Sequence, residues 1–235
     1  MNKSVAEVAV MDQFAVFRKA SDLVGAQTPL AHVSLPKRTS NSSVNEIVAS
    51  KSATQVSSCT VLLEEQPLTG MLVLRVSTAQ EEFSKALEGV VELSLPERLQ
   101  SNWNAQAYCV RWISPDEWML TCPIEETFSI EQALRAAFHG HCAIVNVSGG
   151  YCILTLSGAD AINVLKKSTS YDVNPENFPP GKVINTVMAK AQATLMNLGD
   201  ERYEILVRRS FADYLWLWLQ RAGREYGLRS FAATS

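Results

Sequence analysis

From Cys59 onward the chain falls into short runs of regular hydrophobic period. Cys59 to Glu65 and Met71 to Val76 are strand-like runs set apart by Pro67 and Gly70. Thr78-Ala79-Gln80-Glu81 has the capping-box pattern and predicts a helix through Phe83, Ala86 and Leu87, stopping at Gly89. Tyr108 to Ile113 and Trp118 to Cys122 predict strands about the turn Ser114-Pro115-Asp116-Glu117. Ser129-Ile130-Glu131-Gln132 predicts a second capped helix, with Ile130, Ala133, Leu134 and Ala137 on one face and a stop near Gly140.

The pattern then repeats. Cys142 to Val147 and Tyr151 to Leu156 predict strands about Gly149-Gly150, a dipeptide suited to a type I′ hairpin. Gly158-Ala159-Asp160 leads into a helix bearing Ile162 and Leu165. After the proline-rich loop Asn174 to Gly181, strands are expected near 183–189, 191–198 and 202–208. The last helix carries Phe211, Tyr214, Leu215, Trp218, Leu219 and Ala222 on one apolar stripe, with Ser210 and Asp213 placed as a capping box. Trp216 and Leu217 fall off that stripe. So aromatic a helix points to a second protein surface beside the core. Helices follow strand pairs rather than single parallel strands, which predicts an α+β fold of two small mixed domains, 59–138 and 139–235.

Residues 1–58 differ. Val5, Val8, Ala9, Phe14, Phe17 and Ala20 have uneven helical spacing over residues 5–20, read as a helix or docking arm. Thr28 to Ser58 is polar and rich in Ser and Thr. It is read as extended or disordered, with folding on a partner and simple disorder both open.

Composition narrows the function. The chain has 235 residues, 47% hydrophobic and 19% charged, enough for a real core. A net charge of −3 supplies no basic field for nucleic acid or an anionic membrane. No apolar run approaches the ~20 residues of a membrane span, and no secretory signal is read at the N-terminus. Cys59, Cys109, Cys122, Cys142 and Cys152 are odd in number and never form C-x-x-C, so free buried thiols in a reducing cytoplasm are expected.

Catalytic motifs are sparse. The sequence has no G-x-S-x-G elbow and no nucleotide-binding glycine loop. His32 lies in the polar segment. His139-x-His141-Cys142 is the nearest approach to a metal site but lacks a second ligand cluster, and a helix-end role is preferred. Asp116 and Glu117 are adjacent in a turn and point different ways, so they make no acid/base pair. Arg208-Arg209 stands at a strand–helix junction; a carboxylate clamp at an interface and a solvated strand end are equally open. No catalytic, cofactor-binding or metal-ligating residue is assigned. The partner-contact candidates are Arg208, Arg209 and Trp216.

Five motifs in order carry a resemblance: Trp112-x-x-Pro115-Asp116-Glu117-Trp118, Val147-Ser148-Gly149-Gly150-Tyr151, Leu156-Ser157-Gly158-Ala159, Phe178-Pro179-Pro180-Gly181, and Arg208-Arg209-Ser210-Phe211-Ala212-Asp213-Tyr214-Leu215-Trp216. Together they resemble the gamma-subunit family of bacterial heterotetrameric sarcosine oxidase over about residues 60–228. Residues 37–58 match nothing in that pattern. The resemblance implies kinship with the folate-binding aminomethyltransferases, such as the glycine cleavage T-protein, whose fold the second domain is expected to share. Leu165 to Val173 looks like a worn form of that family's segment after its first helix. Where those transferases place an acid, this chain places Ala191-Gln192, and the K-G-C-Y-x-G-Q motif of another branch is missing.

The resemblance therefore implies a non-catalytic structural subunit of a cytoplasmic complex that demethylates sarcosine oxidatively to glycine. It implies alpha, beta and delta partner subunits, which would carry FAD, FMN, NAD and zinc, with no cofactor on this chain. Two other readings stay open: a folate-dependent aminomethyl or one-carbon transferase acting alone, and a free-standing protein-interaction module.

Overall fold

Alternating strands pair antiparallel almost throughout. A computed structural model describes residues 26–33 and 59–232. The helical arm expected over residues 5–20 and the Ser-rich stretch 37–58 lie outside the described residues. The strands are β1 (Leu62–Glu65), β2 (Thr69–Arg75), β3 (Ser101–Trp103), β4 (Cys109–Ser114), β5 (Glu117–Pro123), β6 (Ala143–Asn146), β7 (Tyr151–Ser157), β8 (Val183–Met188), β9 (Ala191–Gly199), β10 (Arg202–Arg208) and β11 (Arg229–Phe231). The helices are α1 (Gln80–Val91), α2 (Thr127–Ala137), α3 (Ala161–Ser168) and α4 (Ala212–Ala222). The fold is α+β, with a six-stranded sheet in the order β11-β1-β7-β10-β9-β8 and a five-stranded sheet in the order β3-β4-β5-β2-β6.

The period-two pattern divides each strand between two environments. Leu72, Leu74, Val110, Trp118 and Leu120 face Phe83, Leu87 and Val91 of α1 and Ile130 and Leu134 of α2. Leu154, Leu156, Ile205 and Val207 of the larger sheet face Val164 and Leu165 of α3 and Leu215, Trp216 and Leu219 of α4. The remaining sheet faces meet each other: Met71 and Met119 pack against Ile153 and Leu206, and Cys109 against Val183 and Met196. The order of layers is helix, sheet, sheet, helix. Each fully buried Leu or Phe in them contributes roughly 1.5–3 kcal/mol.

Two expected hairpins do not form. β1 pairs with β7, Leu63 opposite Leu156, while β2 lies between β5 and β6. Pro67 therefore marks a passage from one sheet to the other. Likewise β6 joins the smaller sheet and β7 the larger one. Ser148–Gly150 is a 3₁₀ turn. Gly149 and Gly150 are absent from the positive-φ glycines, whereas a type I′ turn needs positive φ at both positions. The Ser148 hydroxyl instead accepts from the Met71 N–H at 2.9 Å, pinning the crossover. Each half of the chain thus lends one strand to the other half's sheet, across the expected boundary at 138/139.

Helix ends also differ from the capping patterns. Thr78 does not cap α1. Ala79, in the left-handed region at φ 56°, precedes it, and the Gln80 side-chain amide donates back to the Val76 carbonyl at 3.2 Å. The helix runs past Gly89 to Val91, which is fully buried. α2 begins at Thr127, so Ser129 lies inside its first turn and bonds the Glu126 carbonyl. Its buried face is Thr127, Ile130, Glu131 and Leu134, whereas Ala133 and Ala137 are exposed.

At α4 the difference has consequences. Arg209–Phe211 forms a 3₁₀ turn, Ser210 makes no cap, and the helix buries Ala212, Leu215, Trp216 and Leu219. The buried stripe is rotated relative to the expected one: Phe211 and Tyr214 are exposed and Trp218 is only partly buried. Trp218 keeps its indole N–H at the edge, donating to the Ser168 hydroxyl at 3.1 Å.

The segment 26–33 is docked rather than loose. Leu30 is buried in the larger core. Beside it the buried Glu65 carboxylate accepts from the Leu30 N–H at 3.0 Å and the Thr28 hydroxyl at 2.8 Å.

Candidate functional site

The two facing sheets leave a cleft of about 460 Å³ at one end. Val73, Ile113, Ser114, Glu117 and Met119 line it from the smaller sheet. Tyr151, Asn185, Gln192, Thr194, Leu206 and Arg208 line it from the larger, and Phe211 stands where α4 begins. Alternation explains the lining. Leu206 and Arg208 share one face of β10, opposite to Ile205 and Val207 in the helix-side core. Across the cleft the Asn185 side-chain amide donates to the Ile113 carbonyl at 2.7 Å. The Ser114 hydroxyl lies 3.2 Å from Asp116 and 3.5 Å from Glu117.

Arg208 stands directly opposite Tyr151 in the β7–β10 register, its guanidinium 5.3 Å from the ring centroid. That is a cation–π contact, which leaves the guanidinium edge free to bind a carboxylate. Arg209 follows in the 3₁₀ turn and is exposed. Trp216 must be removed from the partner-contact candidates. It is fully buried between α4 and the larger sheet, and its indole N–H has no hydrogen-bond partner. The rotation of α4 explains the difference, and Leu217, 56% exposed, takes the outward position.

Gln192 lies at the cleft and is exposed, while Ala191 is buried in the core. The position carries a neutral carboxamide that neither accepts a proton as a base nor pairs with an ammonium group. Asp172 is not part of the cleft. Its carboxyl is held below the ordinary aspartate range by the Asn174 backbone N–H and then the Asn177 amide, in an exposed loop. Asp116 is likewise held low, first by its hydrogen bond from Arg75 at 2.9 Å. His139 and His141 are exposed. Among the described residues no group of three or more His, Cys, Asp or Glu side chains is placed to hold a metal.

A second hollow of about 390 Å³ lies between the sheets. At its wall is an ion pair that the sequence reading missed. Arg111 on β4 is 1% exposed and pairs with Glu204 on β10, and its other arm donates to the Thr121 hydroxyl at 3.2 Å. Burial disfavours the Arg111 charge, but the Glu204 carboxylate and, after it, the Cys109 thiol together hold the guanidinium above its ordinary value. The available signal was a charge in each of two strands, on the face opposite to the helix-side core: Arg111 beside Val110, and Glu204 beside Ile205.

A model of the sarcosine oxidase gamma subunit family matches residues 75–225. The chain belongs to the sarcosine oxidase gamma subunit family. Similar members include the gamma subunit of sarcosine oxidase from Corynebacterium sp. (strain U-96), 28% identical over 174 residues, spanning 73% of this chain and 83% of that protein. The gamma subunit from an Arthrobacter species is 29% identical over 143 residues, spanning 60% and 70%. Among solved structures, a chain of heterotetrameric sarcosine oxidase from Corynebacterium sp. U-96, in complex with pyrrole 2-carboxylate, superposes with a TM-score of 0.68. It is 25% identical, over 86% of this chain and 96% of that one.

The glycine cleavage aminomethyltransferase T of Bartonella henselae shares the fold, with a TM-score of 0.55 at 14% identity, over 74% of this chain and 48% of that one. That likeness covers more than the expected second domain, residues 139–235, can supply. The gamma-subunit match takes in Arg208, Arg209 and all the cleft-lining residues but Val73. No helix among the described residues is long and apolar enough to cross a membrane.

Proposed function

We propose that this chain is a structural, non-catalytic subunit of a hetero-oligomeric sarcosine oxidase, the complex that oxidises the N-methyl amine of sarcosine and yields glycine. Its partners in this reading are the alpha, beta and delta subunits, in the cytoplasm. FAD, FMN, NAD and zinc belong to those partners, as does the passing of the one-carbon unit to tetrahydrofolate. The observation that carries the reading is the near-complete overlap with a chain of a heterotetrameric sarcosine oxidase, 96% of its length. The cleft chemistry agrees. Gln192, near the place where the resemblance implies the aminomethyltransferases' acid, offers no base, and the cleft's charged groups, Glu117 and Arg208, come from different sheets without a nucleophile–base pair between them.

Coexpression with the flavin-bearing subunits tests it. The chain is expected to copurify with them and to be colourless when isolated, with sarcosine oxidation present only in the assembly. Tetrahydrofolate-dependent aminomethyl transfer by the chain alone would overturn the reading.

A further inference from the structure

The start of α4 combines three features that the core does not explain. Phe211, Tyr214 and Leu217 recur every three residues and are 44%, 37% and 56% exposed. They are half of the six large apolar side chains that the described residues leave exposed, gathered on seven residues of chain. Arg208 and Arg209 stand immediately before them, and neither pairs with a carboxylate among the described residues. The 460 Å³ cleft opens at the same place, with Phe211, Arg208 and Tyr151 in its wall. In a chain of net charge −3, two arginines without a carboxylate partner among the described residues thus stand beside a cluster of exposed apolar side chains.

We infer that this corner is the docking surface for a partner subunit, and that the docked element is an acidic–apolar segment. Its carboxylate is clamped by Arg208 and Arg209, and a neighbouring apolar side chain enters the cleft between Tyr151 and Phe211. Charge complementarity selects that occupant. Arginine presents a planar fork that matches a carboxylate, and Arg208 is already held against Tyr151, which reduces the ordering that binding requires. Tyr and Arg are also the residue types that dominate binding energy at interface centres. A basic segment would meet like charge here, and a wholly apolar one would leave the two guanidinium groups desolvated and unpaired. The chain's own nearby acid, Asp213, faces His32 of the docked segment at 3.3 Å instead.

The inference rests on the reading of the chain as a subunit of a larger assembly, and one experiment separates the two. Full-length chain is titrated against the purified remaining subunits, as wild type and as Arg208→Glu, Arg209→Glu and Leu217→Asp variants. Val145→Asp, at an equally exposed apolar site on β6, serves as the control. Melting temperatures of the isolated chains verify folding, and Tyr214→Ser replaces any variant that melts early. The arginine reversals and Leu217→Asp are expected to weaken association at least about tenfold, the control to leave it unchanged, and added salt to narrow the arginine effect. A partner Asp or Glu changed to Arg should restore binding of the Arg208→Glu chain. Folded variants that assemble like wild type would overturn the docking surface while leaving the subunit reading intact. A wild-type chain that binds no partner subunit would overturn both.

Discussion

Arg111 and Glu204 lie 93 residues apart in the chain and form an ion pair across the two sheets. The arginine is buried and the carboxylate largely so. Such a pair is weak evidence of net stabilisation, because desolvating both charges offsets most of their attraction. It does tie the two sheets to one alignment, since sliding them apart at this point leaves a buried charge alone.

Breaking the pair from one side is therefore expected to be worse than removing both partners. Glu204→Ala should destabilise the chain by about 3–5 kcal/mol, because it strands the Arg111 guanidinium. The double variant Arg111→Met/Glu204→Leu should recover much of that loss. Urea melts of the three proteins measure the difference. A double variant as unstable as Glu204→Ala would refute the account.

Trp216 is a core residue, and its substitutions should show it. Trp216→Ala is expected to cost about 3–5 kcal/mol or to prevent folding. Trp216→Phe should cost much less, since the lost indole N–H has no hydrogen-bond partner to leave behind. Trp218→Phe, by contrast, removes the bond to Ser168 at the edge of the core, an effect of about 0.5–1.5 kcal/mol. Thermal melts of the isolated chain rank the three.

The cysteines should differ sharply in reactivity. Burial pushes the Cys122 thiol up to about 11. Burial, and then the Glu65 carboxylate, push Cys152 to about 12. The thiolate is the nucleophile, so a raised pKa means slow attack at pH 8 and a rate that climbs about tenfold per pH unit until the pKa is reached. Cys142, half-buried, is expected to label first with a maleimide in the native chain. All five should label in denaturant. Mass spectrometry of the modified peptides decides it, and early labelling of Cys152 would contradict the packing.

Glu65 should hold the segment 26–33 in place. Glu65→Ala leaves the Leu30 N–H and the Thr28 hydroxyl without their acceptor, a loss of about 1–3 kcal/mol. Cleavage near Thr28 by a nonspecific protease should rise relative to wild type while the two sheets stay intact. Unchanged cleavage would mean that Leu30 in the core suffices as the anchor.

Local pattern determined much of this protein by itself. The strands at 183–188, 191–199 and 202–208 and the β4–β5 pair stand where alternation places them, because a half-buried strand must repeat every two residues. The α+β class and the family were legible in the same way, the latter from five motifs in order. Only the tertiary structure decided which strands pair. β1 and β2 are neighbours in sequence and belong to different sheets, as do β6 and β7. Alternation reports that a strand has a buried face but not which sheet covers it. It also could not place Arg111 opposite Glu204, or choose Trp216 over Trp218 for the core. In the structure a 3₁₀ turn at Arg209–Phe211 precedes α4, and the buried stripe of the helix falls on Ala212, Leu215, Trp216 and Leu219. A helix repeats every 3.6 residues, so a shift of one residue at its start moves a tryptophan from the surface into the core.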